Sequence, residues 1–594
     1  MGGEKLQHAK DSSRANGSHE AVVEFYKTRN DKMEENTNVL RNKLYTEEEI
    51  AAYRKIRKVP ISINKAIAPF RTVIGTVMQS KFDSSFHPFE ESDEQLAEIL
   101  QKLAVFESER NKDSEQNSQM CQSAYITGRA YRYHWVEQGF GTQPKIKSKV
   151  LNPFAVYFDP DSIDPITRAD AEFVDVVHWL SCEEITRAFP ESEKKISATD
   201  KKDRLYEDGY EHYDKSANRK HEEQDELNGK YKVIERYYRV RSNTADGKEE
   251  LWLAVWASDL LTDNSFLYNG PCHVQPTDPD TGKIIFPVVE LVSDCVMGES
   301  DGFIEFLKDP IKIVSLLFTH MVDAAKHSVT AYEIRPDAYE TPEEADRAAM
   351  LGANSNERFR LKAGYQGTGM TPIQGQTISQ PNLQVLQNAE IFIEENSSAP
   401  KALQGVSENA STPAALNAQR IEQASTQLAI FINFYKQYLK HTLKLRYAYW
   451  RECYTGEMTI RITAPEGGRQ QAVTINQLVP QTGWDGMPTG EVQKVNDISA
   501  AEFDIVISDS YQSPTYRTKM FMTINELLQN PNLANNPNIG PLLAQELLKY
   551  SDISYETKEK FKQNMEAQAQ QQMQMQQMQQ MQQMQQMQQI QGAA

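Results

Sequence analysis

Three carboxylates that lie close together in sequence, Asp159, Asp161 and Asp164, are the residues best spaced to do chemistry. Carboxylate oxygens are ligands that Ca²⁺ and Mg²⁺ prefer, so a divalent-cation site is one interpretation. Pro160 and Pro165 lie among them, however, and clusters of Asp and Pro are typical of rigid turns. The sequence therefore predicts a turn without a metal ion, and a cation site is the alternative.

Two common catalytic motifs do not occur in the sequence. Glycines cluster at 139–141 and 364–369, but neither cluster continues into the Lys-Ser/Thr pair with which a nucleotide-binding loop holds phosphate and magnesium. No HExxH metalloprotease signature is present. The five cysteines lack the paired spacing of a zinc site, which favours buried or idle thiols. We therefore predict a protein that is not an enzyme and that uses no cofactor and no metal ion.

Charge and hydropathy disfavour two further classes of protein. The formal net charge is −19, whereas tight nucleic-acid binders need clustered Lys and Arg to displace counterions. This charge does not exclude a protein past which DNA slides without being gripped. The sequence has no apolar signal segment near Met1, and its most apolar helical stretch, 304–325, carries charged residues that include Lys308, Lys312 and Asp323. We expect a soluble protein, made in the cytoplasm, that does not span a membrane.

A basic cluster, Arg54, Lys55, Arg57 and Lys58, precedes Pro60. Short runs of like charge are most often the solvated face of a helix, which is the prediction here. Contact with nucleic acid or with a partner protein is the alternative.

The elements that position these residues are arranged around the stretch 309–450, which alternates between helical and irregular patterns. Asp309 is a candidate N-cap and Pro310 a candidate first helical residue, so a helix is predicted as far as Ser328. The polar segment 332–380, rich in Gly and Pro, shows no helical period.

A second helix is predicted over 381–395, and a long helix from Thr412-Pro413 to Trp450. Between them lies a polar break at 398–412. The long helix carries aromatic residues at helical spacing, which favours a buried core over a platform for stacked bases.

The rest of the chain predicts a mixed α+β body with local, antiparallel strand pairing. Strands are predicted where apolar residues alternate, over 131–136, 145–150, 155–158, 173–180, 231–241, 250–257, 286–293, 458–463, 472–478 and 503–508. Residues 190–228 are predicted to form an exposed, charged insertion. Further helices are predicted over 516–529, 540–550 and from 553 onward.

The C-terminal residues repeat methionine every third position in a glutamine background. On a helix each step of three residues falls about 60° short of a full turn, so the methionines spread around the whole circumference. This pattern excludes an ordinary two-stranded coiled coil. A bundle of many identical helices and a disordered tail remain the two interpretations.

Three segments carry a resemblance to a known family. They are 152–160 (Asn-Pro-Phe-Ala-Val-Tyr-Phe-Asp-Pro), 405–411 (Gly-Val-Ser-Glu-Asn-Ala-Ser) and 511–517 (Tyr-Gln-Ser-Pro-Thr-Tyr-Arg). With the order of the elements, they resemble the portal proteins of tailed bacteriophages, most closely those of short-tailed phages. The resemblance covers roughly residues 40–560.

The resemblance implies a ring, typically of twelve subunits, that forms a channel at one capsid vertex. The genome is packaged, retained and ejected through it. The implied partners are double-stranded DNA, the terminase large subunit, a head-to-tail adaptor, the major capsid protein and a scaffold protein. Such a ring is assembled in the host cytoplasm and becomes part of the virion. Another virion structural protein, such as a tail hub or an internal scaffold, is the alternative, and a nucleic-acid enzyme comes last.

The resemblance also implies a division of the α+β chain into the parts of a portal fold. In chain order these are a mobile N-terminal arm (1–20), an α+β wing or body (21–308), a first stem helix (309–328), a small α/β clip (329–380), a second stem helix (381–397), a tunnel loop (398–412), the rest of the wing with the long helix (413–515), crown helices (516–565) and the Met/Gln tail (566–594). The tail is then either a helical barrel or disordered.

Candidate functional residues follow from the same assignment, and none of them is catalytic. The predicted DNA-channel residues are Lys401, Ser407, Glu408, Asn409, Ser411 and Thr412 in the tunnel loop, with Lys312 and Lys326 on the first stem helix. The predicted partner-docking residues of the clip are Arg335, Arg347, Arg358, Arg360 and Lys362.

Overall fold

The structure is a computed structural model of the chain. It describes residues 7, 11–56, 58–79, 82–88, 94–137, 143–190, 230–241, 249–257, 265–296, 298–327, 331–351, 359–373, 380–397, 428–462, 471–482, 488–498, 503–508, 514–529, 540, 542, 543 and 547.

The N-terminal part is mainly helical, with one short strand. Its elements are α1 (Ser13–Phe25), α2 (Lys27–Leu40), α3 (Glu47–Lys55), α4 (Ile67–Gln79), β1 (Asp83–Pro88), α5 (Glu94–Asn111) and α6 (Asp113–Thr127). Helix α3 begins with a capping box, in which Thr46 and Glu49 satisfy each other's backbone N–H groups. Its last turn carries Arg54 and Lys55, which complement the helix dipole.

Helix α1 corrects the prediction of a mobile arm over residues 1–20, because it occupies part of that range. Ala15, His19 and Val22 share one helix face and are buried. The Nδ1 atom of His19 lies 2.8 Å from Oδ2 of Asp175. A buried partner far away in sequence therefore orders residues whose small, polar composition predicts mobility.

The strands that follow form two antiparallel sheets. They are β2 (Arg129–Glu137), β3 (Lys145–Leu151), β4 (Val156–Phe158), β5 (Phe173–Ser181), β6 (Lys230–Arg241), β7 (Glu249–Ala257), β8 (Tyr268–Pro271) and β9 (Val288–Val292), with helix α7 (Cys182–Ala188) after β5. Strand β2 lies between β3 and β9, and the order of the second sheet is β4-β5-β6-β7-β8. The predicted strands of this half and their mostly local antiparallel pairing are confirmed. Most of the predicted insertion at 190–228 lies outside the described residues.

The predicted turn after β4 is confirmed. Oδ1 of Asp159 accepts the N–H of Asp161 at 3.2 Å, and its Oδ2 accepts the N–H of Glu172 at 3.0 Å. Asp164 accepts the N–H of Ile166 at 3.0 Å. The carboxylates of Asp159 and Asp164 thus accept backbone N–H groups of the turn and of the segment that follows it.

Two helices enclose a small α/β unit in the middle of the chain. The elements are α8 (Glu305–His327), β10 (Ala331–Ile334), α9 (Pro342–Leu351), β11 (Met370–Ile373) and α10 (Gln380–Asn396). Helix α10 agrees with the predicted second helix. Strand β10 pairs antiparallel with β11, so the two ends of the unit are held together.

The start of α8 was predicted wrongly. The helix begins at Glu305, so Asp309 is not its N-cap, and Pro310 lies inside the helix and not at its first position. Ile304, Leu307 and Ile311 are fully buried, so the apolar stripe continues N-terminal to the proline. Burial of this stripe outweighs the backbone hydrogen bond that the proline removes.

The long helix α11 (Ala429–Cys453) is confirmed over the part that the structure describes, and it ends three residues later than predicted. Its predicted start at 413 lies outside the described residues. The interpretation of its aromatics as core is confirmed, because Phe431, Tyr438 and Trp450 are fully buried in the largest hydrophobic core.

The C-terminal part adds short strand pairs and one described helix. Its elements are β12 (Met458–Ile462), β13 (Gln471–Ile475), β14 (Gln477–Thr482), β15 (Pro488–Val495), β16 (Phe503–Ser508) and α12 (Pro514–Gln529). The strand predicted over 472–478 is divided at Asn476, whose left-handed φ of 53° interrupts the extended backbone. Apart from four single residues, the predicted helices beyond 540 and the Met/Gln tail lie outside the described part of the chain.

Strand β1 joins the N-terminal part of the chain to its C-terminal part, since it pairs antiparallel with β16. Phe86 of β1 is buried between Trp450 and Phe503. This strand is not among those that the sequence predicts. The strand exists because a partner strand more than 400 residues away supplies its hydrogen bonds.

Candidate functional site: the helix pair and its small α/β unit

Helices α8 and α10 form the framework of the candidate site. Ile311 and Val314 of α8 and Ala389 and Ile393 of α10 are buried in the same core cluster. The chain leaves α8, forms the small α/β unit and returns through α10. The pair is thus a rigid support that presents this unit at one end.

The segment 58–65 braces the helix pair from one side. Ser315 Oγ accepts the N–H of Ile63 at 3.0 Å, and Thr319 Oγ1 accepts the N–H of Ile61 at 2.9 Å. The two hydroxyl side chains lie on the buried face of α8, where they satisfy backbone donors that would otherwise lack a partner.

Ion pairs extend this brace along the helices. Lys58 lies 2.7 Å from Asp323 near the C-terminal end of α8, and Lys65 lies 3.0 Å from Glu390 of α10. The pairs are partly exposed, so each contributes at most about 1 kcal/mol of stability. Their value is that they fix where the segment lies.

The structure describes only part of the predicted DNA-channel set. Lys312 Nζ donates to Glu49 Oε1 at 2.7 Å, and this hydrogen bond is the main reason that the pKa of Glu49 is lowered. The charge of Lys312 is therefore neutralised by Glu49 of the same chain. Lys326 lies in α8, and its side chain is outside the described part. The tunnel-loop residues all lie outside the described residues: Lys401, Ser407, Glu408, Asn409, Ser411 and Thr412.

The small α/β unit has its own core, in which Ala338, Tyr339, Ala345 and Ala348 are buried. Helix α9 corrects the expectation that 332–380 has no helical period. Thr341 precedes Pro342 at the first helical position and two acidic residues in the first turn, which is a helix-start signature.

Four predicted docking residues lie in this unit, and the fifth, Arg358, is outside the described residues. Arg335, Arg347, Arg360 and Lys362 are exposed. The backbone of three of them is fixed, because Arg335 and Lys362 donate N–H bonds to Gly369 and Ala338, and Arg360 accepts one from Glu340. The unit therefore presents these cations on an ordered backbone.

Large apolar side chains are exposed on both helices of the pair. On α8 they are Phe306, Ile313, Leu316 and Phe318, and on α10 they are Leu383, Val385, Ile391 and Phe392. About half of the Phe306 (51%) and Phe392 (54%) surfaces is open to water. Exposed apolar surface on this scale marks an interaction face.

Buried ion pairs hold the elements of the body together. Asp113 of α6 accepts hydrogen bonds from Arg132 of β2 and from Arg446 of α11, the latter at 2.6 and 2.8 Å. Burial would raise the pKa of Asp113, but the two guanidinium groups outweigh it and lower the pKa to about 2. The two arginines thus favour the ionised carboxylate, which joins α6, β2 and α11.

Two other buried carboxylates act in the same way. Glu290 of β9 accepts from Arg129 at 2.6 Å and from Arg168 at 2.8 Å. Asp175 of β5 accepts from Arg236 at 2.6 and 2.7 Å. Burial raises the pKa of both acids, and the neighbouring arginines more than reverse this shift. Both carboxylates are engaged by arginine, and Asp175 also by His19, so these clusters stabilise the fold.

One segment, 298–302, fits the Gly-x-Ser-x-Gly spacing of a hydrolase nucleophile elbow. Here Ser300 is buried and its hydroxyl donates to the carbonyl of Gly128 at 2.7 Å. A Cβ atom on Gly302 would lie 2.1 Å from the carbonyl oxygen of Ile126. The motif therefore serves close packing against the end of α6.

Two further features are absent from the described residues. No group of three or more His, Cys, Asp or Glu side chains is arranged there to hold a metal ion. None of the helices described is long and apolar enough to cross a membrane.

Comparison with known families identifies the arrangement. The chain matches the family model of the Phage P22-like portal protein over residues 17–594. Comparison with curated proteins gave no match. The match spans nearly the whole chain and includes the helix pair and the α/β unit. The chain therefore belongs to the Phage P22-like portal protein family, the non-enzymatic ring-forming proteins that serve as head-to-tail portal at a capsid vertex for DNA packaging and ejection.

Proposed function

We propose that twelve copies of the chain form the portal ring and that α8 and α10 are its stem helices. The observation that carries this proposal is the helix pair itself, which supports a small folded unit at one end and exposes apolar side chains along both helices. A monomer gains nothing from exposed apolar surface, whereas a ring buries it when each copy contacts the next through two different faces.

The small α/β unit is the proposed clip, which docks the terminase large subunit during packaging and the head-to-tail adaptor afterwards. Its ordered backbone and its exposed cations Arg335, Arg347, Arg360 and Lys362 support this role. Met350 of α9 is 88% exposed and offers an adaptable apolar contact beside them.

Charge reversal tests the docking proposal. The variant Arg335→Glu/Arg360→Glu/Lys362→Glu is expected to form rings but to bind the terminase large subunit at least about tenfold more weakly, because like charges then face the partner. The matched control is Lys145→Glu/Arg241→Glu, since both residues are exposed cations outside the unit. Unchanged terminase binding in a pull-down titration would remove the clip assignment.

The segment 398–412 is the proposed tunnel loop, which contacts DNA through Lys401 and the polar residues Ser407, Glu408, Asn409, Ser411 and Thr412. A net-acidic ring with few bases at the channel resists tight binding of phosphate, which suits a moving duplex. Lys326 on the first stem helix is a further proposed DNA contact. Lys312 is the least favoured of the proposed DNA contacts, because its charge is paired with Glu49. The alternative, a tail hub or an internal scaffold, lacks any such role for this loop.

Phages that carry Lys401→Ala together with a shortened 407–412 segment test the loop. They are expected to assemble normal procapsids but to package DNA more slowly or to lose it after packaging. The readout is the mass of DNA retained per particle, compared with particles shortened by the same number of residues within 190–228. Full genomes packaged at the normal rate would show that this loop does not handle DNA.

The remaining parts complete the proposed assembly. The bodies at 21–308 and 413–515 form the wing that contacts the major capsid protein and the scaffold protein, the helices at 516–565 form the crown, and the tail at 566–594 extends the crown as a helical barrel. The spacing of the methionines, one at every third position, supports the barrel, because methionines all around each helix let it contact neighbours on several sides.

A further inference from the structure

An exposed patch that is both basic and aliphatic lies at the end of α3, and it consists of Arg54, Lys55, Ile56 and Val59. Ile56 is 61% and Val59 is 73% exposed. Arg54 and Lys55 are exposed and have no ion-pair partner among the described residues. We refer to these four residues as the α3 patch.

The α3 patch is held in a fixed position. Glu49, which precedes the patch, pairs with Lys312 of α8. Lys58, which lies next to Val59, pairs with Asp323 of α8. The patch is therefore anchored on both sides to the helix pair and is not a freely moving tip.

The chemistry of the patch favours a protein surface over DNA as its partner. Arg54 and Lys55 would be satisfied equally by phosphates or by carboxylates. Ile56 and Val59, however, gain only from contact with apolar groups, and a phosphate backbone would leave them in water. The partner must therefore combine acidic and apolar side chains.

The outer face of α10 has this combination. Helix α10 contains three glutamates in its last two turns and no Lys or Arg, so its C-terminal end lacks the cations that would complement the helix dipole. Glu395 is exposed and has no partner among the described residues. Ile391 and Phe392 lie beside it and are 50% and 54% exposed.

We propose that in the portal ring the α3 patch of one copy contacts the outer face of α10 (Ile391, Phe392 and Glu395) of the neighbouring copy. The inference rests on the proposed ring and names one of its contacts. Both surfaces are exposed in the single chain, so neither covers the other within one copy. Two different faces that complement each other form a heterologous contact, which is the type that closes a ring.

Charge exchange tests the contact. Arg54→Glu/Lys55→Glu and Glu395→Lys are each expected to lower the association constant of ring assembly at least about tenfold at low salt, because like charges then meet. The combination of all three changes is expected to recover assembly to within about threefold of the natural chain. The control is Arg41→Glu/Lys43→Glu, which reverses two exposed cations in the turn before α3.

The readout is the distribution of mass between monomer and ring in mass photometry, with circular dichroism to verify that each variant is folded. Two results would overturn the contact while the natural chain still forms rings. One is normal assembly of both Arg54→Glu/Lys55→Glu and Glu395→Lys. The other is a combined variant that assembles no better than the weaker of these two. A variant at the α3 patch that assembles normally but packages no DNA would overturn it in favour of DNA. Failure of the natural chain to form rings would instead overturn the proposed function.

Discussion

Replacement of Asp113 by alanine tests how the long helix α11 is held to the body. Arg132 and Arg446 are almost completely buried, at 0% and 1% exposure, and Asp113 is the carboxylate that both of them contact. Removing it leaves two guanidinium charges buried without a countercharge. The expected loss in the free energy of unfolding is about 3–5 kcal/mol.

The control is Glu115→Ala in the same first turn of α6. Glu115 is exposed, so its replacement removes a similar favourable interaction with the helix dipole but no buried charge pair, and it should cost less than about 1 kcal/mol. The assay is urea unfolding at pH 7 followed by tryptophan fluorescence, in which Trp450, buried one turn after Arg446, reports on α11. Similar losses for the two variants would refute the structural role of the buried network.

The same carboxylate gives a pH dependence with a definite sign. The pKa of Asp113 falls from 3.8 to about 2 in the folded protein, so the folded state binds the proton less readily than the unfolded state. Its contribution, about 2 kcal/mol, is fully present above pH 4 and is lost as the pH falls through about 2. In Asp113→Ala the free energy of unfolding should lose this dependence on pH. Parallel curves of unfolding free energy for the natural protein and the variant between pH 4 and 2 would contradict the assigned role of Asp113.

Two smaller changes probe the brace and the close packing around the helix pair. Ser315→Ala should leave the N–H of Ile63 without its acceptor, at a cost of about 1–2 kcal/mol and with faster hydrogen exchange at that amide; unchanged exchange would count against the brace. Gly302→Ala should destabilise the fold or abolish soluble expression, because its Cβ would lie 2.1 Å from the Ile126 carbonyl oxygen. Gly75→Ala is the matched control, because a Cβ atom at Gly75 would have no atom within 4 Å, and this change should be neutral or slightly stabilising. Equal melting temperatures for the two variants would refute the packing argument.

Regular periodicity made much of the fold predictable from the sequence. Strands such as β3 and β7 pair with strands that are near in sequence, so the local pattern and the tertiary contact agree. Strand β1 and helix α1 could not be predicted, because β16 and Asp175, on which they depend, lie far away along the chain. Local composition contains no information about such partners.

The start of α8 shows how two local rules compete. An Asp-Pro pair is a good helix start, but the buried stripe that includes Leu307 lies before it, and burial decides the boundary. For the candidate site, the order of elements was sufficient to predict the helix pair and the unit between them. The neutralisation of Lys312 by Glu49 was not predictable, because it depends on the path of α3 beside α8.

The mass and shape of the purified chain test the central claim most directly. Native mass spectrometry with negative-stain imaging should give closed rings of about twelve times the 67.7 kDa chain mass, with a central opening as wide as a DNA duplex. Chains that stay monomeric under assembly conditions, or that form rings closed at the centre, would contradict the account of the helix pair as the wall of a DNA channel.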